Sequence, residues 1–411
     1  MTPAPSPISE SERADVLDSL RAFALLGIFV SHVPGFSGFE FMTSAEQAAR
    51  DPFGVNAPLA MFLEFLIRGK FFSLFSLLFG IGFAVQLESA TRRGANFARH
   101  FARRLTILFA IGIVHALIWY GDILKDYALI GLVLIVTARW SAARTGQAAV
   151  CALILRAVWP LIVWLIVAWL APLEKHADPA ESFFALTRTF AGSDASAVFA
   201  ANLGLLKFKA LQMLYDGKAI SVLGMFLLGA YIGKRRLCRD LALHAPLFRR
   251  VFAVGATLGI IGDAVLVPIH EMTPGYPPSV LWVIEQAFFA VAVPAMTLAY
   301  ASGFALLWQH PSGRFLRALA PAGRMALTTY VSQSLIGVFV FYGIGLGLSG
   351  TIGFAECTAF AAAVLALQCI LAAIWLNIFR FGPLEWLWRR ATYGTPLPML
   401  RRVSSAQLGL E

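Results

Sequence analysis

The chain predicts an all-α, polytopic integral membrane protein of about ten transmembrane helices, and three observations predict it. Of its 411 residues, 59% are hydrophobic and only 14% charged, with a mean hydropathy of +0.73, which a soluble globule could not accommodate. Apolar segments suited to spanning recur near 17–34, 71–87, 105–121, 127–138, 147–171, 219–233, 251–268, 281–307, 325–346 and 354–378. The basic residues gather in alternate loops. Arg92, Arg93, Arg99, Arg103 and Arg104 follow the second segment, Arg139 and Arg144 the fourth, and Lys234, Arg235, Arg236, Arg239, Arg249 and Arg250 the sixth. Arg314, Arg317 and Arg324 follow the eighth, and Arg380, Arg389, Arg390, Arg401 and Arg402 lie at the C-terminal end. By the positive-inside rule these loops and both termini are cytoplasmic, and the loops at 35–70, 172–218, 269–280 and 347–353 are outside. The net charge of +10 thus reads as membrane orientation, and no nucleic-acid partner is expected.

Residues 1–16 form a polar, rather acidic tail with no basic region ahead of a cleavable apolar core, so the first helix is expected to be retained. Helix one carries Asp18 and Arg21 three residues apart, close enough to pair, and His32 eleven residues beyond Arg21. The stretch Pro58–Ile67 is too short to span and reads as an interfacial or re-entrant helix. Lys70 then opens a segment to Phe83 in which bulky and small residues alternate, a pattern that permits close helix approach.

Helix three repeats the interval of helix one, from Arg104 to His115. Eleven residues rise about 16 Å, so arginines at one membrane surface put both histidines at similar depth in the opposite half. Ionisable groups at that depth are costly, which makes them candidates for function. His115, Trp119 and Asp122 share one helical face. Asp122 lies about 10 Å of rise beyond His115, so it is expected to bond a group on helix one, His32 included, or to cap the short fourth helix that carries Tyr127. Helix five contains Arg156 and helix seven Asp263, which would form a buried pair if they face one another. The outer loop 172–218 carries Glu174, Lys175, His176, Asp178, Asp194, Lys207, Lys209 and Asp216. Helix nine presents Tyr330, Gln333, Ser334 and Gly337 on one face, with Arg324 at its inner end. These groups can line a cavity or join helices by hydrogen bonds. Cys151, Cys238, Cys357 and Cys369 have no metal-ligand spacing, so neither a metal nor a disulfide framework is expected. The organisation read from these features is a tail 1–16, a transmembrane half 17–171, the loop 172–218, a second half 219–390 and a tail 391–411.

The stretches 17–28, 69–83 and 115–124 with Tyr127, together with 323–330, Gln333, Ser334 and 380–389, resemble the YeiB family of bacterial membrane proteins, defined by the DUF418 domain. The similarity covers nearly the whole chain. That family resembles transmembrane acyltransferases distantly, and the helix-one pattern ending at His32 is similar to the acyltransferase-3 signature. YeiB-like sequences usually have glycine where Ala22 stands and asparagine where His32 stands. The resemblance implies a multi-pass protein of the bacterial inner membrane that moves an acyl group from cytosolic acyl-CoA to an outer-side glycan or lipid, by O- or N-acylation.

On that reading His32 or His115 is the base and Asp122 its orienting carboxylate. Arg21, Lys70, Arg103, Arg104 and Arg324 receive the donor's phosphates. Trp119, Tyr127, Tyr330, Gln333 and Ser334 line the cavity, with membrane lipid around it. The competing reading is a transporter or exporter of a small solute or lipid, with Arg156 and Asp263 in its path. Against it, the two halves lack a matched pair of Gly- or Pro-broken helices.

Overall fold

A computed structural model of the chain describes residues 15–170, 186, 188–273 and 278–401. Glu174, Lys175, His176 and Asp178 of the expected outer loop lie outside the described residues, as do 1–14 of the first tail and 402–411 of the last. The architecture is all-helical, with only an isolated bridge between Phe379 and Leu400 among the described residues. Helix α1 (Asp15–Phe36) is the central element, buried on most of its surface. Around it stand α4 (Lys70–Arg92), α5 (Phe97–Ile118), α6 (Leu124–Thr137), α7 (Ala142–Leu170), α9 (Lys218–Lys234), α10 (Ala245–Glu271), α11 (Val280–Gln309), α13 (Ala326–Phe341) and α14 (Phe354–Ile378). Shorter helices α2 (Ser44–Ala49), α3 (Asn56–Ile67), α12 (Ala320–Arg324) and α15 (Pro383–Tyr393) complete the set, with α8 (Ala195–Tyr215) between α7 and α9. The segment read as too short to span is thus α3, a helix of 12 residues.

Eight described segments are long and apolar enough to cross a membrane, Asn56–Arg92 counting as one of them. Three of the ten expected segments are shorter: α6 has 14 residues, α9 has 17 and α13 has 16. The expectation for 172–218 needs correction, because much of this loop is the 21-residue α8. Its charges mislead: Lys207 and Lys209 sit within an apolar run, and Asp194 caps its N-terminus by accepting from the amides of Ser196 and Ala197. Asn202 fixes α8 to the end of α5, its amide nitrogen donating to Leu117 O and Ile118 O and its oxygen accepting from Tyr120 N.

The small residues of α4 do permit close approach. A Cβ on Gly80 would stand 2.0 Å from Phe226 O of α9, and one on Gly229 would stand 2.0 Å from Leu77 O of α4. Two backbones that near leave room for hydrogen only, so dispersion between main chains replaces side-chain interdigitation along this seam. Phe79 and Phe226 stack beside it, with ring centroids 4.5 Å apart. The same device presses α12 onto α1, where a Cβ on Gly323 would lie 1.7 Å from Asp18 O.

Gly80→Ala is therefore expected to cost about 1–3 kcal/mol by overpacking. Gly204→Ala on α8, where an added Cβ meets nothing within 4 Å, is expected to be neutral or stabilising by helix propensity. Thermal unfolding of both variants in detergent checks the contrast.

Candidate functional site

The site begins where α5 stops. Trp119 leaves the helix in an extended conformation (φ −149°, ψ 121°), and the chain turns back through Tyr120–Ile123 to start α6. This reversal corrects the expectation that Asp122 lies out of reach of His115, since the helical rise between them is never completed. Asp122 Oδ1 lies 2.7 Å from His115 Nδ1, with both side chains buried. The other carboxylate oxygen accepts from Lys125 N in the first turn of α6. Asp122 therefore serves as histidine partner and as helix cap, and does not bond His32. An ionised Asp122 assigns the Nδ1 proton and leaves Nε2 of His115 as the open lone pair. That Nε2 is buried and has no hydrogen-bond partner among the described residues.

His32 and His115 reach the same aromatic group from two helices. The Trp119 ring lies 4.5 Å from His32 and 6.3 Å from His115, and the Tyr330 ring lies 6.5 and 5.2 Å from them. Phe36 stacks on Trp119 at 4.3 Å and fixes the indole, whose Nε1 is buried without an acceptor among the described residues. The Tyr330 hydroxyl accepts from Ile123 N at 3.2 Å, so α13 holds the reversal that carries Asp122.

A cavity of about 720 Å³ runs from Tyr330 toward the arginine-rich side, within the range of pockets that hold a small elongated ligand; His32, His115 and Trp119 lie behind Tyr330 and do not line it. Tyr127 and Tyr330 line it at one end, Leu78, Phe79 and Leu108 along the way, and Arg21, Arg92, Arg104, Arg236, Arg239, Arg324 and Arg389 at the other. Asp18 forms an ion pair with Arg21. Arg104 is stacked 3.6 Å above the Trp388 ring of α15, while Trp388 Nε1 donates to Arg104 O. Arg324 reaches Asp15 at 2.7 Å, and Arg236 and Arg239 share Glu88. Glu385 also lines the cavity. Burial raises its carboxyl above the usual range, opposed by hydrogen bonds from Thr328 and Leu327. Tyr127 is tied to Ser76 Oγ at 2.6 Å and to Phe72 O.

Other expected site residues lie elsewhere. Arg103 is exposed on the outside of α5. Gln333 donates to Gln368 of α14, so this amide joins helices, and Ser334 is buried on the same helix. Lys70 is wholly buried 2.8 Å from Asp263, which removes it from the arginine group. Arg156 and Asp263 do not meet: Arg156 donates to Gln286 and Ser221. Glu285 of α11 is shared by Arg68 and His270. The residues that sequence reasoning left out of the site are Asn202, Glu385 and the cavity arginines Arg236, Arg239 and Arg389, whereas Arg92 of the expected phosphate-binding cluster does line the cavity. The arginines were readable as clusters, whereas nothing around Asn202 marks it as the tie of a distant turn.

Residues 232–395 match the family model described as "Protein of unknown function (DUF418)". The chain is 30% identical to uncharacterized protein YeiB of Escherichia coli (strain K12), covering 96% of this chain and 100% of that one. It is 29% identical to uncharacterized protein YxaH of Bacillus subtilis (strain 168), over 96% and 98% of the two chains. A Bacillus acidopullulyticus protein, the uncharacterized 39.9 kDa protein in the amylase 3′ region, is 28% identical over 96% and 98%. No solved structure matches.

For the buried pair, Lys70→Met alone is expected to destabilise the protein by about 3–5 kcal/mol, because it strands the Asp263 carboxylate. Adding Asp263→Leu is expected to recover most of that loss. Thermal unfolding of the single and double variants in detergent measures both.

Proposed function

Because the chain belongs to the YeiB family of DUF418 proteins, we propose, from the site rather than from any relative, that this multi-pass membrane protein is an acyltransferase. It would take an acyl group from cytosolic acyl-CoA and pass it to an acceptor from the other side of the bacterial inner membrane. The observation that carries this reading is the continuous cavity from the arginine group to Tyr330, whose ring adjoins the His115–Asp122 pair. By the positive-inside rule its arginine end faces the cytoplasm. There, guanidinium forks suit the phosphates of the donor, and the apolar length suits a thioester-bearing arm.

His115 Nε2 accepts the proton of the acceptor hydroxyl or amine as the acceptor atom attacks the thioester carbonyl. The carbon–sulfur bond then breaks and the same nitrogen returns the proton to the leaving thiolate. Asp122 holds the ring and stabilises the imidazolium. The Trp119 indole N–H is the donor available to the developing oxyanion, since the Tyr330 hydroxyl donates to Gly121 O at 3.5 Å. Gln333, engaged with Gln368, is not among them. His32, on the far side of Trp119, faces the acceptor.

The test is thioester loss and CoA release by the purified full chain in nanodiscs, supplied with acetyl-CoA or longer acyl-CoAs and a membrane-lipid extract. Asp122→Asn is expected to lower turnover about 10²–10⁴-fold, with His115→Ala at least as severe, whereas Arg104→Ala raises KM. Absence of saturable binding of every acyl-CoA tried overturns the reading.

A further inference from the structure

The region on the acceptor side of His32 carries a charge arrangement that the transfer chemistry does not use. Lys209 of α8 sits over the Tyr120 ring at 5.6 Å, Tyr120 adjoins Trp119 at 5.8 Å, and Trp119 adjoins His32. Lys218, the first residue of α9, sits over the Phe72 ring at 4.4 Å and has no hydrogen bond or ion pair to a described residue. The two lysines lie within electrostatic reach of each other and of the His32 ring. Lys218 is exposed, and Lys209 and His32 keep part of their surface accessible.

Arg156 stands behind them. A Cβ on Gly217, between Asp216 and Lys218, would touch its Cδ at 3.2 Å. Arg156 is 2% exposed and has only neutral hydrogen-bond partners, Gln286 and Ser221. Its Nη1 is buried with no partner at all among the described residues. Asp216 is the carboxylate that acts on Arg156, Lys209 and Lys218 together. Asp126, which also acts on Lys218, is held by Lys125 at 3.1 Å. Asp216 also acts on Arg68, and the other carboxylates in reach are engaged elsewhere: Glu285, which acts on Arg156, by Arg68 and His270, and Glu40, which acts on Lys209, by Tyr120. A buried guanidinium with an unused N–H calls for a counter-charge.

We propose that Lys209 and Lys218, backed by Arg156, form an anion subsite beside His32 that holds a phosphate group of the acceptor. That the anion belongs to the acceptor rests on the acyl-transfer reading; that it binds does not. Phosphate fits because two ammonium groups on separate helices can each meet a different oxygen. The phosphate can come from a lipid headgroup or from a soluble phosphorylated molecule.

The test is equilibrium binding to the purified full chain in detergent, with dioctanoyl phosphatidic acid, dioctanoyl phosphatidylcholine and inorganic phosphate as probes. Saturable binding of phosphatidic acid over phosphatidylcholine is expected. It should weaken about tenfold or more in the Lys209→Gln/Lys218→Gln double variant, be retained in the double arginine variant, and be unchanged in Lys207→Gln, an exposed lysine of the same helix. Lysine-dependent preference for the lipid over phosphate assigns a membrane-borne acceptor, and lysine-dependent binding of phosphate with equal strength assigns a soluble one; either supports the subsite. Equal affinity of the double glutamine variant for every probe, or no binding of phosphatidic acid or phosphate, overturns it. If the anion binds while no acyl-CoA does, the transfer reading alone fails. If acyl-CoA is consumed while neither anion binds, the subsite alone fails.

Discussion

The structure turns on a requirement for backbone satisfaction at one place. Residues 119–123 are non-helical chain among apolar helices, where each unpaired amide or carbonyl costs several kcal/mol. The flanking helices satisfy Trp119 N and Ile123 O, but other groups of the turn are taken up by side chains. Asn202 takes up Leu117 O, Ile118 O and Tyr120 N, Tyr330 takes up Ile123 N, and Asp122 takes up Lys125 N. The same bonds fix Asp122 against His115. Stabilising the turn and building the histidine–carboxylate pair are therefore one act, and α8 and α13 owe their positions beside the site to it.

The remaining ionisable groups divide by depth and by solvation. On the arginine-rich side the cations face the cavity, and several are partnered by Asp15, Asp18 or Glu88. On the opposite side Lys70 and Asp263 are shut away from any solvent, and Glu285 is shared between Arg68 and His270. The first arrangement leaves guanidinium faces open to a ligand. The second trades desolvation for mutual attraction and holds α3, α4, α10 and α11 in one register.

Much of this was legible in the chain. Equal spacing from Arg21 to His32 and from Arg104 to His115 places two arginines on one cavity and two histidines on one tryptophan, because both intervals lie within unbroken helix. The relation of His115 to Asp122 was not legible for the opposite reason. Trp119 and Tyr120 continue the apolar pattern past the true helix end, and only Gly121 hints at a turn. Burial partners were equally hidden: Lys70 with Asp263 and Arg156 with Gln286 are contacts across the bundle, about which local periodicity says nothing. Helix α8 was obscured by its own lysines, which lowered the apparent hydropathy of a segment that is apolar on most of its surface.

The ties on residues 119–123 also set an order on biogenesis. When Asp122 leaves the ribosome, the side chain that will satisfy Tyr120 N is still 82 residues away in the chain, and the one for Ile123 N is 207 away. Until α8 is made the turn lacks its own partner for Tyr120 N, and until α13 is made it lacks one for Ile123 N, so water or the insertion machinery must stand in. The hairpin of α5 and α6 is thus inserted early and completed late. A ribosome stalled before α13 would leave the histidine pair without the tyrosine that holds its turn closed.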